Sequence, residues 1–169
     1  MPQNGCMDPL AEIDLDASPV TLRAARREDV PALVGLLAAD QLGATRDGVR
    51  DAADLAAYRA AFDAIDADPA HLLVVAELAG EIAGTLQLSF LPGLARRGAL
   101  RAQIEAVRVT ESCQGSGLGT AMMRWAIDEA RRRGCALVQL TSDKSRIDAH
   151  RFYQRLGFVP SHEGMKLAL

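Results

Sequence analysis

Val107-Arg-Val-Thr-Glu-Ser-Cys-Gln-Gly-Ser-Gly-Leu-Gly-Thr-Ala-Met-Met123 is the stretch that decides how the chain reads. A strand-like run ends near Thr110 and a short polar link follows. Gln114-Gly115-Ser116-Gly117-Leu118-Gly119 then leads directly into a helical stripe. Three glycines in five positions leave the backbone bare, so its N–H groups can turn toward one point. The helix behind them aims its unpaired N–H groups and positive dipole end at the same point. Such a loop suits a phosphate or pyrophosphate. A tight strand-to-helix turn without a ligand is the plainer alternative.

Composition narrows the field around this loop. The 169 residues fit one domain of ordinary size, with 49% apolar and 24% charged residues, which is globular composition. A net charge of −3 argues against a general attraction to nucleic acid or anionic membrane. No apolar run reaches membrane-spanning length, and the acidic N-terminus lacks the order of a secretory signal. Residues 1–19 are expected to be a flexible, partly ordered lead-in to a single domain over 20–169. Cys6, Cys113 and Cys135 are odd in number and lack CxxC spacing, which disfavours a disulfide framework and a zinc site. A soluble cytoplasmic protein without a metal is expected.

The flanking segments alternate between strand and helix signals. Val20–Ala24 is a short strand. Asp29 stands as N-cap before the stripe Val30, Leu33, Val34 and Leu37, and a second helix carries Leu55, Tyr58, Phe62 and Ile65 on one face. The polar loop Gly43–Gly48 between these helices is expected to move more than its flanks. Leu72–Leu78 reads as a strand buried on both faces. Leu86, Leu88 and Phe90 alternate with Thr85, Gln87 and Ser89, giving one buried and one more polar face. After the loop Pro92–Gly98, the strand Leu100–Thr110 sets Glu105, Val107 and Val109 on one side if it is regular. Leu118, Met122, Trp125 and Ala126 form the next helix's stripe, and Arg131, Arg132 and Arg133 crowd its end as a solvated terminus. Ala136–Thr141 is a further strand. Ser142-Asp143 caps a helix bearing Ala149, Phe152, Tyr153 and Leu156, and Phe158-Val159 and Met165–Leu169 supply two closing strands. The sum is one α/β domain of the α+β kind with a largely antiparallel sheet and about four helices.

Strand, glycine loop, helix, strand and Asp143 also imitate a dinucleotide fingerprint. Thr120 replaces its third glycine, however, and the motif falls too late for a second nucleotide-binding half. A second motif favours another reading. Gln114-x-x-Gly117-x-Gly119, followed by Ala149-x-x-Phe152-Tyr153-x-x-x-Gly157-Phe158, resembles the GNAT superfamily of acetyl-CoA-dependent N-acetyltransferases. The resemblance runs from about Val20 onward. It implies a mixed sheet with a splayed central strand pair, and acetyl-CoA as co-substrate. Backbone amides of Gln114, Gly115, Ser116, Gly117, Leu118 and Gly119, with Thr120 beside them, would cradle the CoA pyrophosphate. Backbone groups of Val107 and Val109 would pair with the pantetheine arm, and an amide near Val107 would polarise the thioester carbonyl.

The same resemblance marks Tyr153 as general acid toward the departing thiolate and Glu105 as base toward the amine, directly or through a water. Bland readings stand beside them: a core aromatic for Tyr153, and an exposed residue paired with Arg101 or Arg108 for Glu105. Arg146 replaces the asparagine that many family members carry, and either meets a CoA phosphate or faces solvent. Cys113 reads as a loop residue rather than an acyl carrier. His150 and His162 read as surface residues.

The acceptor is left open. Asp40, Asp47, Asp51, Asp54, Asp63, Asp66 and Asp68, in the first two helices and the loop between them that the resemblance implies as the acceptor pocket, would attract a cationic amine, or merely solvate and cap those helices. The segment Leu140–Tyr153 is similar to aminoalkylphosphonate N-acetyltransferases, whose anionic acceptors would want Arg96, Arg97 or Arg101 nearby. The expected activity is acetyl transfer to a primary amine of a small molecule or peptide by direct attack in a ternary complex. The alternatives are a non-catalytic acyl-CoA-binding regulatory module and, behind it, an NAD(P)-dependent oxidoreductase. No nucleic-acid or membrane partner is expected, and a homodimer is implied only by the resemblance.

Overall fold

The computed structural model describes residues 9–15, 18–39 and 43–168. Six strands lie side by side in chain order: β1 (Ala11–Leu15), β2 (Ser18–Ala24), β3 (His71–Leu78), β4 (Glu81–Leu91), β5 (Arg101–Val109) and β6 (Leu137–Leu140). Each neighbouring pair is antiparallel except β5 with β6. A doubly wound dinucleotide fold needs a largely parallel sheet, so the oxidoreductase reading falls. The helices are α1 (Val30–Ala38), α2 (Ala52–Asp66), the single turn α3 (Ala95–Gly98), α4 (Leu118–Arg132) and α5 (Ile147–Arg155).

Strand alternation sorts the core onto two faces. Val74, Leu86, Leu88 and Ile104 point toward α4, where they pack with Leu118, Met122, Met123 and Ala126. On the other face Val75, with Leu73 and Ile82 beside it, meets Val30, Leu33, Val34 and Phe62 of α1 and α2. Gly84 lets α4 come close to β4. A Cβ there would stand 2.9 Å from the Met122 sulfur and 3.0 Å from the Arg108 carbonyl oxygen. Gly84→Val is therefore expected to destabilise the protein by about 1–3 kcal/mol, read as a lower urea midpoint.

Several expectations are corrected by the structure. Part of the lead-in is strand β1, because Ala11, Ile13 and Leu15 alternate with Glu12 and Asp14 and lay their apolar side against the core. Cys6 and Asp40 lie outside the described residues. Asp29 sits at the start of α1, but its carboxylate accepts from Arg23 Nη1 and from the Arg26 N–H, both at 2.7 Å. Burial alone would raise its pKa; those two donors override burial and hold the carboxyl below its ordinary range. Arg96 and Arg97 form a turn with φ of 55° and 63° rather than plain loop. Thr85 and Ser89, assigned to a more polar face, are only 2% and 5% exposed.

The two closing strands do not form, since residues 158–168 have no sheet partner. Phe158 turns back onto Tyr153, with ring centroids 6.0 Å apart. Pro160 then removes a ladder donor, and Ser161-His162-Glu163-Gly164 are turn formers.

Candidate active site

Two local features of β5 define the site. The first is a bulge. Ala106 takes φ 54°, and the β4–β5 register slips there, with Gln87 opposite Glu105 and Thr85 opposite Arg108. One extra residue on β5 changes the alternation beyond it. Glu105 and Arg108 therefore share the face that carries α1 and α2. Val109, opposite Gly84, points toward α4. This corrects the regular strand in which Glu105 and Val109 shared a side.

The second feature is a gap. Pairing of β5 with β6 ends at Ile104 opposite Leu140, whereas β5 stays paired with β4 as far as Val109. The Thr110 N–H donates to Ala83 on the β4 side at 2.8 Å. By alternation, the N–H and C=O of Val109 face away from β4, into the gap. The Val107 carbonyl accepts from the Arg108 guanidinium at 2.8 Å. The splayed strand pair implied by the resemblance is thus β5 and β6, and Glu105 is the first residue past the point of divergence.

The glycine loop lies at the far end of this gap. Gly115 and Gly117 take φ of 80° and 91°, a conformation that favours glycine, and Gly117 is the N-cap of α4. Ser116 Oγ donates to the Cys113 carbonyl at 2.8 Å and accepts from the Leu118 N–H at 3.3 Å, so it pins the turn. The amides of Gly115, Gly117, Gly119 and Thr120 have no acceptor among the described residues. These donors collect at the positive end of a 15-residue helix. Gly119 sits where a Cβ would lie 3.7 Å from Phe152 and 3.9 Å from Val109, which brings β5, α4 and α5 together around the loop. Cys113 is half-buried against the core, and its backbone carbonyl makes the loop's contacts.

Tyr153 belongs to α5 and packs with the α4-side core. Its ring meets Phe152 edge-on at 5.2 Å and Phe158 at 6.0 Å. Burial pushes its phenol above the ordinary range, while Arg146 and Arg108 pull the other way. The hydroxyl therefore keeps its proton at neutral pH, as a general acid must. Glu105 is exposed, not enclosed by the valines around it in sequence. It stands on the opposite face of the sheet from the Tyr153 side. Arg146 is the N-cap of α5, seven residues before Tyr153, and its charge lowers the Tyr153 pKa against the effect of burial. Asp143, expected to cap α5, instead accepts from Ser145 N at 2.9 Å, and its carbonyl meets His150 Nε2 at 2.8 Å. His162 is exposed and bonds Ser161.

Most of the acidic rim has structural work. Asp51 caps α2, Asp54 binds Arg50, Asp63 binds Arg27, Asp68 accepts from Ala70, and Asp47 accepts from Tyr58. Arg96 and Arg97 belong to the turn between β4 and β5, at the opposite end of that hairpin from Val109 and the glycine loop. Arg108 on the bulge, which sequence spacing placed only as a partner for Glu105, is the cation beside the gap. The φ-positive residue of the bulge is Ala106, so no glycine or proline signalled it. Among the described residues no cluster of metal-ligating side chains occurs, and no helix is long and apolar enough to cross a membrane.

Residues 31–158 match the model of the acetyltransferase (GNAT) family, and the chain belongs to that family. It is 30% identical over 148 residues to the aminoalkylphosphonate N-acetyltransferase of Salmonella typhimurium, covering 87% of this chain and 90% of that one. Among solved structures it is similar to a transcriptional regulator from Bacillus halodurans C-125, at 43% identity and a TM-score of 0.84, covering 89% of this chain and 99% of the other. An acetyltransferase from Trypanosoma brucei matches at 26% identity and a TM-score of 0.70, again over 89% and 99%. Membership of the family makes the chain an acetyltransferase by class.

Proposed function

We propose that the protein transfers the acetyl group of acetyl-CoA to a primary amine of a small molecule or peptide, by direct attack within a ternary complex. Three features support this reading: the unpaired amides of the glycine loop, the gap beside Val107 and Val109, and Tyr153 packed on the α4 side of the sheet toward which Val109 points. The loop fits a pyrophosphate because Gly115 and Gly117 hold conformations that a side chain would strain. The open β5 edge fits an amide-bearing arm, which can pair as a strand does.

Bound acetyl-CoA supplies an activated acyl carbon. Glu105 takes the proton that the ammonium must lose, and the freed nitrogen forms a bond to the carbonyl carbon. The amide of Val107 or a neighbour steadies the oxyanion. As the carbon–sulfur bond breaks, Tyr153 gives its proton to the sulfur, and the second proton of the attacking nitrogen passes through solvent to the tyrosinate, so one amide and one thiol leave with Tyr153 neutral again. Base and acid stand on opposite faces of the sheet, which lets the amine approach from one side while the thiol departs on the other.

Acetyl-CoA at 100 times its Kd should stabilise the protein by about 2.7 kcal/mol, seen as a rise in Tm. A screen of amines should find thiol release with at least one. Calorimetry that detects no acetyl-CoA binding would overturn the reading. The likeness to a transcriptional regulator at 43% identity favours one second reading, an acetyl-CoA-binding regulatory module. That module would gain the same thermal stability yet release no thiol with any amine.

A further inference from the structure

The α1/α2 face of the sheet changes character between its two halves. Over β3 it is apolar, with Leu73 and Val75 under the helices. Over β4, β5 and β6 it carries Thr85, Gln87, Ser89, Gln103, Glu105 and Gln139, as the strand registers require. The opposite face of the same three strands is apolar throughout, with Leu86, Leu88, Phe90, Ala102, Ile104, Val138 and Leu140. A sheet with no ligand to recognise gains nothing from half-burying carboxamides, since each loses water and needs a partner.

Two of those carboxamides sit at the brink of the gap. Gln103 and Gln139 face each other across β5 and β6, one register step before pairing ends. Gln139 Nε2 donates to Gln103 Oε1 at 2.7 Å. That bond uses one of the four amide hydrogens of the pair and leaves three N–H donors. Both residues are half-buried, so neither is sealed from solvent. Ser89, the next polar group across the sheet, is already bonded to His71 Nδ1 at 2.8 Å. Glu105 lies two residues along β5 from Gln103 on the same face, about 6–7 Å away.

We propose that Gln103 and Gln139 bind the polar end of the acceptor and set its specificity, while its amine lies against Glu105. The proposal rests on the acetyl-transfer reading. A donor-rich pair at that separation selects a short amine that carries accepting oxygens, such as a hydroxyl, carboxylate or phosphonate, within about 6–7 Å of its nitrogen. Alkylamines without oxygen would leave the carboxamides unpaired and bind less well.

Steady-state kinetics with matched acceptors test this: aminoalkylphosphonates, amino acids and amino alcohols on one side, alkylamines of equal length on the other. The parent enzyme should favour an oxygen-bearing amine by at least 10-fold in kcat/KM. Gln103→Met and Gln139→Met keep the side-chain length and should raise KM for that amine at least 10-fold. The KM for acetyl-CoA should stay within two-fold, and kcat/KM for the alkylamine should hold or rise. Gln139→Asn, which shortens the reach to Gln103, is the second variant if a methionine variant does not fold, and the acetyl-CoA thermal shift reports folding in each. A parent enzyme without preference, or variants that lose both acceptors equally, would overturn the proposal alone. Acetyl-CoA binding without thiol release from any amine would overturn the transfer reading and the proposal with it.

Discussion

Tyr153→Phe is expected to lower kcat about 100-fold while leaving acetyl-CoA affinity within about two-fold of the parent. The substitution deletes only the hydroxyl. The ring keeps its edge contacts with Phe152 and Phe158, so α5 should stay in place. Burial raises the Tyr153 pKa, opposed by Arg146 and Arg108, so the neutral phenol is the form the fold favours. A group whose folded pKa is raised contributes stability fully below its unfolded value, and that contribution is lost as pH rises through the folded one. The alkaline loss of kcat should accordingly fall above about pH 10, the ordinary phenol value, and vanish in the phenylalanine variant. Rapid kinetics and a pH–rate profile measure both effects. Full activity in the variant, or a matching loss of acetyl-CoA binding, would remove Tyr153 from the chemistry.

The second large effect belongs to Gly117. An aspartate there must adopt φ near 91° and brings a negative charge to the N-terminus of α4, where a pyrophosphate is proposed to sit. Two unit charges about 4 Å apart interact by about 4 kcal/mol at an effective dielectric near 20, so Gly117→Asp should weaken acetyl-CoA at least about 100-fold. Gly117→Asn separates charge from backbone strain, because asparagine tolerates the left-handed region and carries no charge. Its loss should be about 10-fold. Calorimetry on both variants decides; equal losses would mean that the loop matters through its shape and not as an anion cradle.

Much of this was legible in the order of residues. The helix faces, the long β3 and β4 runs and the loop Gln114–Gly119 follow from periodicity and glycine placement, and the pairing of that loop with Tyr153 and Gly157-Phe158 pointed to the family. What escaped shares a physical cause: it depends on tertiary register. Ala106 is an ordinary alanine, and only the mismatch between β4 and β5 makes it a bulge. Strand β1 hides because its alternating apolar residues are few and its neighbours acidic. The closing strands were read from apolar content, but apolar residues without a partner remain exposed, as Met165 does at 93%. Gln103 and Gln139 are 36 positions apart and gain meaning only when two strands lie side by side.

The gap between β5 and β6 has a consequence for motion. The middle of a sheet is ordinarily where amides exchange with solvent most slowly. Here the amide of Val109, at the end of β5 and beyond the last rung to β6, faces no strand. Such a position should exchange like a frayed end, and a donor molecule lying in the gap would slow it by closing the missing rung. The chain thus leaves an open amide on the β5 edge beyond Ile104, where occupancy by the donor can be read one amide at a time.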